Sequence, residues 1–437
     1  MEWQYILLIG FGSLVVIMAT GLPVAFSFLL INMMGVILLW GGETGLQQLI
    51  INVFNGMTTF TILPVPLFIL MGEIMFHSGI ASDMLDAVDK WLGRLPGRLS
   101  LVAVGSGTLI ATLTGASMAS VAMLGSVLVP QMQERGYKNA MTLGPILGCG
   151  AIAVMIPPSA LAVLLGSIGE ISIGKILIAI IIPGLLMSFL YIVYIIIRCY
   201  LQSSLAPSYE VVQVSMYEKL ISTARYILPI GFIIFLVIGF ILLGIATPTE
   251  AAASGALGCI ILAAFNRRLN FLLLKKALYG TLQLTVMIYM LIVGASVFSQ
   301  ILAFSGATNG LVELAMGFAV SPILILIGMQ VVVLILGCFI AVLPVMMITL
   351  PIFMPIVEAL NFNQVWFAVV FLIAAEIGGI TPPFGFSLFV MKGVAPKNIT
   401  MAEIYRSALP FFGIQLIVLA LVIAFPALAL WLLGAMR

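Results

Sequence analysis

The chain has 437 residues, of which 63% are hydrophobic and only 7% charged, and its formal net charge is +2. A composition this apolar excludes a soluble domain and is typical of a polytopic membrane protein. The basic residues are spread over connecting segments, and the four cysteines and single histidine lack metal-ligand spacing, so nucleic-acid binding, a zinc site and a disulfide framework are not expected.

Apolar runs separated by turn residues predict the elements of the first half, residues 1–197. They are spans near 4–20 and 22–40, an amphipathic arm at 46–57, a span near 62–77, a polar segment at 78–99, a re-entrant helical hairpin at 100–130 with its tip at 114–117, a broken helix at 140–166 and a span at 175–197. A polar cytoplasmic connector at 198–225 is expected to join this half to the second.

The second half, residues 226–437, is predicted to repeat the plan. Its elements are spans near 226–243 and 247–265, a basic arm at 269–280, a span near 281–302, a hairpin at 321–357 with its tip near 341–344, a broken helix at 364–391 and a last span at 405–432. The expected fold is all-α, with about ten crossings and two hairpins.

A pair of prolines interrupts an apolar run in each half. The offset along the chain from Pro157-Pro158 to Pro382-Pro383 is the same as that from Pro130 to Pro355. Adjacent prolines break a helix, and a break at membrane depth survives where it faces protein, water or an ion. Each predicted half has an odd number of crossings, so the sequence predicts two repeats of inverted topology.

The basic residues also predict the orientation. With both termini in the periplasm, 15 of the 17 lysines and arginines fall on the cytoplasmic side. Because cytoplasmic loops carry an excess of positive charge, this orientation is preferred over the reverse. The first hairpin would then open from the cytoplasm and the second from the periplasm.

Small and hydroxyl-bearing residues at the tips and breaks are the candidate ligands, because hydroxyl and carbonyl oxygens suit sodium and helix N-termini suit carboxylates. The sodium-binding candidates are Thr114, Gly115, Ser117, Pro157, Ser159, Gly378, Gly379, Thr381 and Gly385. The substrate-binding candidates are Ser117, Ser120, Pro344, Glu376, Thr381 and Ser387. The alternative is that the small residues only allow close helix packing and that the prolines only kink the helices.

Two carboxylates lie inside apolar runs, where charge is costly and often functional. Glu376 is expected to shape a cation site or to carry a proton. Glu73 is expected to pair within the membrane or to face another subunit, and His77, which ends a span, is interpreted as interfacial.

Several motifs resemble the large membrane subunit of tripartite ATP-independent periplasmic (TRAP) transporters. They are Thr112-Leu113-Thr114-Gly115-Ala116-Ser117, Gly378-Gly379-Ile380-Thr381-Pro382-Pro383-Phe384-Gly385, Leu67-Phe68-Ile69-Leu70-Met71-Gly72 and Phe76-His77-Ser78-Gly79. The resemblance covers essentially the whole chain and is greatest to members for sialic acid (N-acetylneuraminate), with the C4-dicarboxylate members sharing the same motifs.

The resemblance implies sodium-driven import of an organic anion across the bacterial inner membrane by an elevator motion. It also implies two protein partners, a small four-helix membrane (Q) subunit and a periplasmic substrate-binding protein (P), besides membrane lipid. No cofactor is implied, and sodium is the coupling ion.

Other classes of function are also compatible with parts of the sequence. A proton-coupled or stand-alone transporter and a channel are open alternatives. An intramembrane enzyme is disfavoured, because the predicted spans contain no aspartate and their hydroxyls have no nearby base.

Overall fold

A computed structural model of the chain describes residues 3–93, 95–114, 117–207, 214–317 and 320–435. These residues are almost entirely helical, and no strand occurs among them. The helices up to residue 201 are α1 Trp3–Ala19, α2 Val24–Leu39, α3 Glu43–Thr58, α4 Pro64–Ser78, α5 Ile80–Leu92, α6 Arg98–Thr114, α7 Ser117–Glu134, α8 Asn139–Met155, α9 Ala160–Ile168, α10 Ile173–Ala179 and α11 Ile181–Leu201.

The later helices follow a similar order of long and interrupted elements. They are α12 Met216–Ser222, α13 Leu228–Leu242, α14 Pro248–Phe265, α15 Phe271–Phe304, α16 Ala307–Gly317, α17 Pro322–Phe339, α18 Val342–Ala359, α19 Gln364–Gly379, α20 Phe386–Val394, α21 Met401–Ala424 and α22 Ala427–Leu430. Within the described residues, eight helical segments are long and apolar enough to cross a membrane, and α8 with α9 would make a ninth span, bent by 46°. The predicted all-α membrane fold is confirmed, whereas the inverted repeat and the count of ten crossings stay predictions.

Two helices form the centre of the protein. Residues 141–155 of α8 and 365–379 of α19 are buried without exception. A helix that is apolar on every face is suited to such a position. α8 packs against α6, α7, α11 and α21, and α19 packs against α17, α18 and α21. Because α8 and α19 are the two helices that end at the proline pairs, both breaks are held by surrounding helices.

The second half differs from its prediction at the arm. The predicted arm at 269–280 and span at 281–302 are one continuous helix, α15. In the first half, the corresponding run is interrupted by a 3-10 turn, Phe60–Ile62, before α4 begins at Pro64. α15 contains no proline, and isolated glycines do not stop a helix, so nothing ends it between the arm and the span.

Three further parts of the chain differ from the prediction. The connector is shorter than 198–225, because α11 continues to Leu201 and α12 begins at Met216, leading through a π-helical turn into α13. α16 was not predicted at all. The last span ends at Ala424 rather than 432, because Pro426 disfavours a helical conformation at the residue before it.

Candidate functional site

The first break lies between α8 and α9. Ser159 is fully buried, and its hydroxyl accepts a hydrogen bond of 3.3 Å from the amide of Ala162, so it caps the N-terminus of α9. The Pro157-Pro158 peptide bond is cis. Because Ser159 caps α9, this break ends one helix and begins another, whose first amides are oriented along the axis of α9.

The second break, between α19 and α20, folds back on itself. The amide of Gly385 donates to the carbonyl of Thr381 at 3.0 Å. A Cβ atom on Gly385 would lie 2.6 Å from the carbonyl oxygen of Gly379 and 2.9 Å from that of Thr381. Two carbonyl oxygens therefore converge beside Gly385, and only glycine allows this approach. The Pro382-Pro383 peptide bond is also cis.

Hairpin 2, formed by α17 and α18, is attached to this break. The thiol of Cys338 donates to the carbonyl of Pro382 at 3.3 Å. Gly337 and Gly378 touch where α17 crosses α19, because a Cβ atom on Gly378 would lie 2.7 Å from the Cα atom of Gly337. The structure thus gives Gly378 a packing role in addition to its predicted place near sodium.

The tip of hairpin 2 is shifted from its predicted position. The interruption falls at Ile340 and Ala341, so 342–344 already form the first turn of α18. The first amides of α18 consequently lie at the tip, where they lack carbonyl partners within their own helix.

Hairpin 1, formed by α6 and α7, reaches the centre at Ser117. Thr114 ends α6 and Ser117 begins α7, whereas Gly115 lies outside the described residues. The hydroxyl of Ser117 lies close to the carboxyl group of Glu376. Glu376 is only 3% exposed, and its Oε1 atom has no hydrogen-bond partner in the described part of the chain.

A cavity of about 490 Å³ lies where these elements meet. Four helices begin at one part of its wall: α7 at 117–119, α9 at 160–161, α18 at 342–344 and α20 at 386–387. The rest of the wall comes from the start of α2 and from α4 and α15, and α15 packs against both of the others. We call these two parts the N-terminal wall and the α4/α15 wall. A volume of this size suits a small organic ligand.

Some of the predicted sodium- and substrate-binding residues line the cavity, and others do not. Ser117, Pro344, Gly379 and Ser387 line the cavity. Ser120, Pro157, Ser159, Glu376, Gly378, Thr381 and Gly385 are described but are not among its lining residues. Thr381 donates its hydroxyl to the carbonyl of Ile377 at 2.7 Å, so its oxygen keeps lone pairs for another partner.

The sequence singled out Glu73 as an intramembrane carboxylate but did not place it at the cavity. This carboxylate lines the α4/α15 wall, and its Oε2 atom lies 3.2 Å from Nε2 of His77, one turn later on the same helix. Gly280 of α15 makes room for it, since a Cβ atom there would lie 2.5 Å from Oε2 of Glu73. The available signal was a carboxylate in an apolar run, but its orientation depends on how α4 packs against α15.

The comparison with known families decides the classification. A profile of the family described as "Tripartite ATP-independent periplasmic transporter, DctM component" matches residues 11–428. The chain belongs to this family.

Relatives among the TRAP large permeases are similar over most of their length. The C4-dicarboxylate TRAP transporter large permease protein DctM of Pseudomonas aeruginosa is 31% identical, with 88% of each chain covered. The 2,3-diketo-L-gulonate TRAP transporter large permease protein YiaN of Escherichia coli is 30% identical over 92% of this chain and 93% of the relative. The ectoine TRAP transporter large permease protein TeaC of Halomonas elongata is 27% identical, over 96% of this chain and 97% of the relative.

These names identify transporter subunits rather than enzymes, and the substrates named differ from one relative to the next.

Two solved structures share the fold of this TRAP permease. The YdaH transporter of Alcanivorax borkumensis has a TM-score of 0.67 and 15% identity, covering 92% of this chain and 91% of the other. Neisseria gonorrhoeae MtrF has a TM-score of 0.63 and 16% identity, covering 89% and 85%.

Proposed function

We propose that this TRAP permease imports a small organic anion together with sodium through the central cavity. The observation that carries the proposal is the N-terminal wall, at which four helices begin. The unpaired amides and the dipole at a helix N-terminus favour negative charge. Among the described residues of the cavity wall there is no lysine or arginine, so an anion would depend on these helix ends and on co-bound cations.

The breaks supply the oxygens that sodium needs. One proposed site is formed by tip 114–117 and break 156–159, and a second by tip 341–344 and break 378–385. The convergence of two carbonyl oxygens at Gly385 supports the second site. At the first, Ser117 and the start of α9 share the cavity wall, which supports their placement around one ligand.

The proposed substrate is N-acetylneuraminate first and a C4-dicarboxylate second. The sequence resemblance supports the first, and the name of the Pseudomonas aeruginosa relative supports the second. Glu73 is the one charged side chain among the described lining residues of the cavity, and it bears on the choice between the two substrates because it would repel a second carboxylate placed beside it.

We also propose two protein partners, a small membrane subunit and a periplasmic binding protein, and a location in the bacterial inner membrane. The isethionate TRAP transporter permease protein DctMQ of Oleidesulfovibrio alaskensis matches 97% of this chain with only 66% of its own length, which leaves room for a fused second component. Exposed apolar side chains on α1, such as Leu8 at 70%, offer a surface for lipid or a partner helix.

The proposed mechanism is an elevator motion. The hairpins and broken helices would move as one unit against α2, α4 and α15. The position of the cavity supports this, because its wall is divided between these two groups of helices. Proton coupling, a stand-alone transporter and a channel are the alternatives.

Uptake by vesicles that contain the chain, the small subunit and the binding protein tests this proposal. Ser117→Ala and Thr381→Ala should each raise the sodium concentration for half-maximal uptake about fivefold, if one oxygen ligand contributes about 1 kcal/mol. Asp86→Ala, an exposed position on α5 outside the cavity, is the control and should leave this concentration unchanged. Saturable uptake that ignores the sodium gradient would refute sodium symport, and non-saturable flux would indicate a channel.

A further inference from the structure

The two walls of the cavity differ in charge. The N-terminal wall contributes helix starts and the hydroxyls of Ser117 and Ser387. On the α4/α15 wall, Glu73 is the one charged side chain among the described lining residues. α2 also begins on this side, and the amides of Val24 and Ala25 in its first turn lack carbonyl partners within the helix, but α2 brings no charged side chain to the wall. Among the described lining residues, a ligand therefore meets an acidic acceptor only on the α4/α15 wall, whereas the N-terminal wall offers it four helix starts and two hydroxyls.

Two neighbouring residues fix the position of the Glu73 side chain. His77 supports Oε2 at 3.2 Å, and the glycine at 280 leaves the space that the carboxyl group fills. An ionised carboxylate has about four lone-pair sites, and His77 uses one. The Glu73 side chain keeps 22% of its surface exposed, so acceptor sites are available to a ligand.

We propose that Glu73 determines specificity by selecting a monocarboxylate whose far end carries a hydroxyl or ammonium donor, and by rejecting a second carboxylate. This inference rests on the proposed function and narrows its substrate class. The single carboxylate faces the N-terminal wall, and the donor end faces Glu73. A dicarboxylate of the same length would place its second negative charge beside Glu73, in a cavity of low polarity where like charges repel strongly. Specificity of this kind arises from repulsion of the wrong ligand as well as attraction of the right one.

Gluconate and glucarate are suitable probes, because they differ only in a terminal hydroxymethyl group that is a carboxylate in glucarate. Their dissociation constants are measured by calorimetry on the purified full-length chain in detergent at one saturating sodium concentration. The wild type should bind gluconate at least tenfold more tightly than glucarate. Glu73→Gln keeps the size of the side chain and removes its charge, so glucarate should bind at least tenfold more tightly to it than to the wild type.

Glu43→Gln is the matched control, because Glu43 is an exposed acid on α3 outside the cavity, and it should leave both constants unchanged. If Glu73→Gln does not fold, the wild-type ranking decides alone. Equal or tighter binding of glucarate by the wild type, an unchanged ratio in Glu73→Gln, or no binding of either probe would overturn the inference.

The two proposals fail separately. Sodium-dependent uptake by vesicles together with the wrong probe ranking would refute only the role of Glu73. The correct ranking with sodium-independent uptake would refute only the sodium symport.

Discussion

Replacement of Gly378 by alanine tests the contact between α17 and α19. The added methyl group would lie 2.7 Å from the Cα atom and 3.0 Å from the carbonyl carbon of Gly337. Two carbon atoms attract best at a separation of about 3.5–4.0 Å, so the two helices must move apart by roughly 1 Å to accept the methyl group. Both neighbouring atoms belong to the backbone, so no change of rotamer can relieve the clash.

We expect Gly378→Ala to destabilise the protein by about 1–3 kcal/mol, the usual cost of overpacking a core. The direction of this change is informative. Without the clash, alanine should stabilise the helix, because it is a better helix former than glycine by about 0.8–1.0 kcal/mol in exposed helices. Gly328→Ala is the control: Gly328 lies on α17 itself, and a Cβ atom there meets nothing within 4 Å. It should be neutral or stabilising.

The measurement is the thermal midpoint of unfolding in detergent without sodium. Leaving sodium out separates packing from ion binding, since Gly378 is also a candidate near the second sodium site. The reasoning is refuted if Gly378→Ala and Gly328→Ala have the same midpoint. A loss of stability seen only with sodium present would instead assign Gly378 to the ion site.

Three other predictions concern single contacts. Gly280→Ala should displace the flexible carboxyl end of Glu73 and weaken gluconate binding several-fold without lowering the unfolding midpoint; a fall in the midpoint would show that the backbone had moved. Asp83 and Arg268 form an ion pair of 2.5 Å in which the side chains are 25% and 36% exposed, so a double-mutant cycle should give a coupling free energy below about 1 kcal/mol, and a larger value would contradict solvent screening. A cysteine at residue 210 should resist a membrane-impermeant reagent added to intact cells; labelling there would reverse the predicted orientation.

The sequence was most informative where structure is set locally. Adjacent prolines are enough to break a helix, so both breaks could be placed from the sequence alone. The continuity of α15 could also have been recognised from its lack of proline. What could not be predicted depends on contacts between segments far apart in the chain: Gly378 of α19 meets Gly337 of α17, and Glu73 of α4 meets Gly280 of α15. The four helix starts converge on one cavity only after every one of these helices has packed.

The length of α15 has a mechanical consequence. Its 34 residues extend about 51 Å at about 1.5 Å per residue, whereas the hydrocarbon core of a bilayer is about 30 Å thick. Fitting all of it into that core would need a tilt beyond the range of about 0–40° that membrane helices adopt, so one end must project into the interface. Lys275 and Lys276, in its second turn, mark that end, and further along the same helix Leu284, Met287, Ile288 and Leu291 line the cavity. No break separates the interfacial end of α15 from the part that lines the cavity. A change in bilayer thickness or lateral pressure that tilts the interfacial end is therefore expected to move the cavity wall as well. Uptake rates should therefore differ between vesicles of thin and thick bilayers. Equal rates would show that the tilt of α15 does not transmit bilayer thickness to the cavity.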